Sequence, residues 1–356
     1  MSLSVGIVGL PNVGKSTLFN ALLGKQQALA ANYPFATIEP NVGVVPVPDE
    51  RLEKLAAVVG TTQIIPATVE FLDIAGLVKG AASGEGLGNK FLSHIREVDL
   101  VCQVLRAFED GTIIREGSSE PIADYQVVQA ELIFKDLETL AAQKDKTKSP
   151  AMEPKLKNLI LRLYEHLDSG KPARSLSLTD EEKVWSREWF LLTAKPEIAV
   201  INISEAQLSQ AAKIESDIAE KLGIDGIALN AQLESELSRL ATEDAKVLMA
   251  EYGIADSGLN RLIQLAYKKL GLISFLTAGI KEVRAWTIKA GTKAPQAAAV
   301  IHTDFEKKFI KAKTCTYQDF IACGGWKGVA DKGKVRQEGH GYEVREGDMV
   351  EFMIGS

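Results

Sequence analysis

The sequence predicts an α/β chain: a parallel, doubly wound sheet, a helical insertion within it, and a smaller β-rich domain towards the C-terminus. Three observations carry this. The apolar run Val5-Gly6-Ile7-Val8 leads into Gly9-Leu10-Pro11-Asn12-Val13-Gly14-Lys15-Ser16 and then into the helix opening Thr17-Leu18-Phe19-Asn20-Ala21-Leu22-Leu23. Further strand-like runs at 42–47, 68–72, 99–106, 197–201 and 224–229 are spaced for parallel pairing through helical crossovers. Past Gly279 the texture changes to short β-like runs at 283–288, 309–313, 342–344 and 349–353.

The first segment is a strand, a glycine loop and a helix in P-loop order. Gly9 and Gly14 let successive backbone N–H groups converge on phosphate oxygens, where the helix dipole adds partial positive charge. Lys15 is expected to reach the β- and γ-phosphates, and the Ser16 hydroxyl to ligand magnesium. Two prolines between Asn32 and Asn41 exclude a regular helix there and leave a shaped loop. Within it, Thr37 is either a turn residue or a second magnesium ligand opposite Ser16, and the P-loop upstream favours the ligand.

The strand at 68–72 ends in Asp73-Ile74-Ala75-Gly76, a carboxylate followed three residues later by a glycine. Asp73 is expected to hold magnesium through water, and the Gly76 N–H to sense the γ-phosphate. Leu77 stands where Ras-type GTPases carry the glutamine that orients the attacking water. A leucine offers no hydrogen bond, so hydrolysis should be slow or dependent on a partner.

The run at 197–201 ends in Asn202-Ile203-Ser204-Glu205, the place where a GTPase carries an Asn-Lys-x-Asp base-reading motif. Glu205 has one methylene more than aspartate, and a misplaced acceptor costs about 1–3 kcal/mol. Loss of guanine selectivity, and adenine as the base, is the expectation; a variant motif that still takes GTP is the alternative. Asn230-Ala231 follows the last strand as a base-edge loop.

At 356 residues the chain is expected to hold two or three domains, and 46% hydrophobic with 25% charged residues suffices for a substantial core. No apolar run is long enough for a membrane helix, and Met1-Ser2-Leu3-Ser4 runs straight into the first strand, so no signal peptide is expected. Cys102, Cys315 and Cys323 lack metal-ligand spacing, so buried or free thiols and a cytoplasmic location are expected. His94, His166, His302 and His340 are scattered and suggest no metal site. The net charge of −6 is uneven: residues 279–356 hold 13 Lys+Arg against 10 Asp+Glu, and the remainder 28 against 37. Lys307, Lys308, Lys311 and Lys313 cluster beside Phe305 and Phe309, either as an RNA-backbone contact or as a solvated edge.

Between the strands at 99–106 and 197–201 lie Val127, Val128, Leu132, Leu137 and Leu140, then Leu156, Leu159, Ile160, Leu163 and Leu167, at near-helical spacing. The polar turn 144–150 separates them, which predicts two antiparallel helices, as a packed subdomain or as a protruding arm. Thr179-Asp180-Glu181-Glu182 is a capping box opening another helix. Amphipathic helices follow over 206–273, one of them running from Leu259 to Leu270 and stopping at Gly271.

The stretches 6–17, 34–41, 73–80 and 84–89, the Asn-x-x-Glu at 202–205, Lys281 to Thr287 and His302 to Lys307 together resemble the YchF / Obg-like ATPase family of translation-factor-related P-loop GTPases. The resemblance spans nearly the whole chain. It implies a nucleotide-binding domain of Obg type over 1–125 and 196–278, an inserted helical coiled-coil arm over 126–195, and a C-terminal TGS domain of β-grasp fold over 279–356. It implies hydrolysis of ATP in preference to GTP, no catalytic glutamine, and association with ribosomes, through the large subunit, rRNA or both, in regulating translation or stress response. Neither DNA nor membrane is expected as a partner. Carried over by position, Asn12, Val13, Gly14, Lys15, Ser16 and Thr17 cradle phosphate, Ser16 and Thr37 ligand Mg2+, and Asn202 and Ile203 meet adenine, Ile203 partly through its backbone. Asn12 is a candidate K+ ligand. Family members often carry a helper histidine where this chain has Arg115, which either stabilises phosphate charge or plays no part.

Overall fold

The structure, a computed structural model, describes residues 3–30, 41–74, 89–109 and 120–355, with backbone only at 26–30 and 89–90. Thr37, Gly76, Leu77 and Arg115 lie outside the described residues. In chain order, β1 (Ser4–Val8) leads to α1 (Lys15–Ala30), β2 (Val42–Pro46), α2 (Arg51–Val59), β3 (Ile64–Ile65), β4 (Thr68–Asp73), α3 (Asn89–Glu97) and β5 (Leu100–Arg106). Then come α4 (Pro121–Lys146), α5 (Pro154–Asp168), α6 (Asp180–Arg187), β6 (Glu197–Asn202), α7 (Ala211–Leu222), β7 (Gly226–Leu229), α8 (Ala231–Leu237), α9 (Thr242–Glu251) and α10 (Gly258–Lys269). The rest comprises β8 (Leu272–Ala278), β9 (Val283–Lys289), α11 (Ala294–Ile301), α12 (Asp304–Lys307), β10 (Phe309–Thr316), α13 (Tyr317–Cys323), α14 (Trp326–Asp331), β11 (Arg336–Glu338) and β12 (Asp348–Ile354).

The chain falls into two compact units, 1–44 with 70–262 and 45–69 with 263–356. The first is built on a sheet of order β2-β4-β1-β5-β6-β7, in which β1 runs parallel to β4 and β5, and β6 parallel to β5 and β7. Every residue of β1, β5 and β6 is buried. Strands covered on both faces carry apolar runs rather than alternation, which is why they are readable as continuous runs. Successive connections diverge to opposite sides of β1, so the loop leaving its carboxyl end opens at a topological switch point.

The two stripes between β5 and β6 form α4 and α5, joined across 147–153 and packed through Ile133, Leu140, Leu159, Leu163 and Leu167. Val127, expected in the stripe, is instead 57% exposed, and Phe134 is 54% exposed. The reason is that α4 serves two neighbours. Tyr125 joins the apolar cluster over β5 and β6, whereas Ile133 and Leu140 meet α5. The predicted capping box is present: Thr179 Oγ1 accepts the Glu182 N–H at 3.2 Å, and Glu182 Oε2 accepts the Thr179 N–H at 2.9 Å.

Buried polar groups fix the inserted helices to β6. Glu197, its first residue, accepts from Tyr125 Oη at 3.1 Å and from Gln129 Nε2 at 2.7 Å, and pairs with Arg174. Farther along α4, the Asp136 carboxylate accepts the N–H groups of Leu192 and Thr193 at 2.7 and 2.8 Å and the Thr193 hydroxyl at 2.6 Å.

The second unit has a mixed sheet of order β11-β10-β12-β8-β9-β3. Phe275, Ile288, Ala294, Ala297, Ala298, Phe309, Ala312, Val344 and Val350 make its core. Two readings change, and one pairing is additional. β-structure begins at Leu272, seven residues before Gly279, because Phe275 and Leu276 are fully buried between β9 and β12 rather than on a helix face. Residues 342–344 are not a strand; a single bridge joins Glu343 to Lys293, and Val344 is in the core. Ile64-Ile65 of β3 pairs with Val283-Arg284 of β9, a contact across more than two hundred residues of sequence that no local pattern announces. Of the four clustered lysines, Lys311 donates to Gln337 at 2.9 Å and Lys313 pairs with Glu351 at 3.1 Å, while Lys307 and Lys308 are exposed.

Candidate functional site

The loop between β1 and α1 owes its shape to three residues with positive φ: Gly9 at 151°, Asn12 at 61° and Gly14 at 99°. A Cβ on Gly9 would lie 2.5 Å from the Val104 carbonyl oxygen, and one on Gly14 would lie 2.2 Å from Asn202 Nδ2. Both positions therefore need glycine on two counts, backbone conformation and space. Asn12 tolerates the left-handed region better than most residues. The Leu18 N–H reaches back to the Gly14 carbonyl at 2.9 Å, so α1 begins directly at the loop with Lys15 and Ser16 in its first turn. The remaining N–H groups of that turn are the anion-binding end of a helix.

Lys15 Nζ donates to the Leu10 carbonyl at 2.6 Å, which folds the side chain along its own loop. Burial lowers its pKa from the ordinary lysine value, and the negative charge of Asp73 opposes that fall. Asp73 closes β4, and its N–H donates to the Asn41 carbonyl at 3.0 Å. Burial raises its carboxyl pKa, with Lys15 pulling it back down. Asp73 Oδ1 is buried without a hydrogen-bond partner among the described residues. A buried acceptor left so is costly unless something cationic or protic meets it.

The other side of the site is a strut. Asn202 Nδ2 donates to the Val13 carbonyl at 3.0 Å, and Asn202 Oδ1 accepts the Ala231 N–H at 3.0 Å. One amide thus holds the glycine loop against the start of α8. Ile203 is fully buried; its N–H goes to Leu229 O at 2.9 Å, and its carbonyl accepts from Asn230 Nδ2 at 2.8 Å. Asn230 also caps α8, accepting the Leu233 N–H at 2.8 Å. Glu205 is exposed at the start of a 3-10 turn, and its Oε2 accepts from Tyr252 Oη at 3.2 Å.

These groups line a cavity of about 620 Å³. Asn12, Gly14, Lys15, Ser16 and Thr17 form one end, Ile203, Glu205 and Asn230 the other. That volume suits a small-molecule ligand. Val13 is buried behind the loop, and Asp73 is not among the lining residues. Phe108 and Glu109 also line it, and the motif reading did not single them out. The Arg106 guanidinium stands 4.4 Å from the Phe108 ring centroid and its Nε donates to the Phe108 carbonyl at 3.3 Å, so the ring is held in place. Their only sequence signal is position, just past the carboxyl end of β5.

Residues 4–144 match a family model described as "50S ribosome-binding GTPase", and residues 272–355 match the YchF-GTPase C-terminal model, described as "Protein of unknown function (DUF933)". The chain is 46% identical to the ribosome-binding ATPase YchF of Bacillus subtilis (strain 168) and 44% identical to that of Escherichia coli O157:H7, covering 99% of both chains in each case. The chain belongs to the YchF family. The solved structure of the Schizosaccharomyces pombe YchF GTPase superposes with a TM-score of 0.90 at 37% identity, covering 99% of this chain and 98% of that one. In this member of the YchF family the glycine loop thus forms one end of the cavity, with Ile203, Glu205 and Asn230 at the other.

Proposed function

We propose that this YchF family member is a magnesium-dependent ATPase that hydrolyses ATP to ADP and phosphate and acts on the ribosome as a nucleotide-dependent switch. One observation carries the choice of base: Glu205 Oε2 accepts from Tyr252 Oη at 3.2 Å, and aliphatic Ile203 fills the place of the lysine of a guanine-reading motif. Guanine presents N1–H and a 2-amino group, both donors, and would require a free, well-placed acceptor. Adenine presents none of that demand. Phe108 offers apolar surface to either purine, and Ile203, itself fully buried, stands behind that end with Asn230.

At the phosphate end, the N–H groups from Asn12 to Thr17 and the Lys15 ammonium bind the triphosphate. Ser16, Thr37 and Asp73 would hold Mg2+; a hydroxyl and a buried carboxylate oxygen with no partner among the described residues are hard donors of the kind that ion takes alongside phosphate and water. Bound magnesium supplies charge neutralisation at the β- and γ-phosphate oxygens. Lys15 and the loop amides offset the charge that develops as water attacks the γ-phosphorus and its bond to the β–γ bridging oxygen breaks. The Gly76 N–H senses the γ-phosphate, and Asn12 is the residue proposed for K+. Leu77 gives the attacking water no hydrogen bond.

The names of the relatives and the ribosome-binding family description support the ribosome as partner, through the large subunit or its rRNA. Regulation of translation or stress response, a cytoplasmic location and the division into Obg-type domain, helical arm and TGS domain complete the proposal. Among the described residues no helix is long and apolar enough to cross a membrane.

In competition titrations of the full chain with Mg2+ and K+, ATP is expected to displace labelled ADP well below the concentration at which GTP does. Phosphate release by the isolated chain is expected to be slow, and to rise when ribosomes are added. Guanine preference in the titration, or rapid turnover by the chain alone, refutes the corresponding half of the proposal.

A further inference from the structure

We infer that Tyr252 is a specificity-determining positioning residue, which favours adenine by holding the Glu205 carboxylate in a hydrogen bond that a guanine edge would otherwise compete for. This rests on the ATP reading above and names a residue outside the base motif.

Both partners are fixed by their backbones. Tyr252 is the C-cap of α9; Gly253 follows with φ 68°, its N–H on the Ala250 carbonyl at 3.1 Å, and the Ile254 N–H closes on the Met249 carbonyl at 2.9 Å. That pair of bonds around a left-handed glycine is a Schellman motif, which leaves the preceding residue little backbone freedom. Glu205 follows Ser204, whose N–H and hydroxyl both donate to Gln207 Oε1, at 2.9 and 3.0 Å. Glu205 is thereby fixed as the first residue of its turn, and it lines the cavity. The hydrogen bond at 3.2 Å joins these two anchored points across 47 residues of sequence. The negative charge of Glu205 is the first cause raising the Tyr252 hydroxyl pKa.

A carboxylate reads guanine by accepting from N1–H and the 2-amino group together, so it needs both oxygens turned to the base. With Oε2 facing Tyr252, bidentate acceptance is lost, and its negative charge is drawn away from adenine N1, itself an acceptor. Tyr252→Phe keeps the ring, which is 38% exposed, and removes only the donor.

The experiment titrates the full chain with fluorescently labelled ADP and GDP, comparing the wild type, Tyr252→Phe, Glu205→Ala and the double variant. Tyr252→Phe is expected to tighten GDP about fivefold while ADP changes by less than about twofold, the scale of one regained hydrogen bond. In the Glu205→Ala background the same substitution is expected to leave the GDP/ADP ratio unchanged. The ratio is the readout, because a merely structural role of Tyr252 would weaken both nucleotides alike. An ADP-preferring wild type whose ratio does not move in Tyr252→Phe overturns this inference alone. So does a ratio that moves equally without Glu205. A wild type preferring GDP overturns the adenine reading and this inference with it.

Discussion

Replacing Lys15 with alanine is expected to weaken binding of Mg·ATP by about a hundredfold or more and to reduce phosphate release to background. Among the described residues that line the cavity, this side chain is the one cation. Its bond to the Leu10 carbonyl holds it along the phosphate loop, while the glycines at 9 and 14 fix the loop itself. The fold should survive the change, because the backbone of the loop is set by those glycines and by the Asn202 strut, neither of which uses Lys15. Asp73 would lose the positive charge that holds its carboxyl pKa down against burial, so that value should rise further. Lys15→Arg is not expected to restore function, since a planar guanidinium does not pass where a compact ammonium does. Calorimetric titration with ATP and Mg2+, paired with a thermal melt, checks this. A dissociation constant within about threefold of the wild type would remove Lys15 from the phosphate site and the P-loop reading with it.

How much of this was legible beforehand follows from how local each signal is. The glycine loop, the parallel strands and the Thr179 cap announce themselves because spacing of a few residues fixes their geometry, and all three stand where expected. Asn202 was placed at the site, but its role as a strut between Val13 and Ala231 joins residues 189 and 29 positions away. Phe108 and Tyr252 carry no signal of a site role for the same reason: one is a lone aromatic after a strand, the other a lone aromatic before a glycine. β8 was missed because its apolar run follows the stop at Gly271 without a turn signal of its own, and β3 because two isoleucines are too short a pattern to read. The α4 stripe fails at Val127, because no single period describes a helix that serves two neighbours in succession.

The inserted helices carry the second large effect. Arg174→Ala is expected to destabilise the fold by about 3–5 kcal/mol, the usual cost of leaving one buried charge without its partner. Glu197 is almost wholly inaccessible at the first position of β6, and Arg174 is its only cationic neighbour among the described contacts. Tyr125 and Gln129 still donate to it after the substitution, yet both are neutral and both hold their places partly through Arg174, at 3.0 and 3.2 Å. Burial already raises the Glu197 pKa above the ordinary carboxylate value, with Arg174 as the main opposing influence. Without Arg174 the folded protein holds that proton to still higher pH than the unfolded chain does. Stability is then lost as pH rises through the folded value and recovered as pH falls below it, so the deficit should be largest at mildly alkaline pH and shrink on acidification. Glu197→Gln in the same background removes the charge and should recover much of the loss at neutral pH. The far end of β6 is Asn202, which holds the phosphate loop, so the single variant should also bind ADP more weakly than the double one. Denaturant unfolding at two pH values, with ADP titration alongside, measures all of this; equal unfolding midpoints for wild type and Arg174→Ala would mean that the pair does not brace the strand, and the Asp136 clamp and the packing of Tyr125 over β5 and β6 would then carry the link between the inserted helices and the sheet.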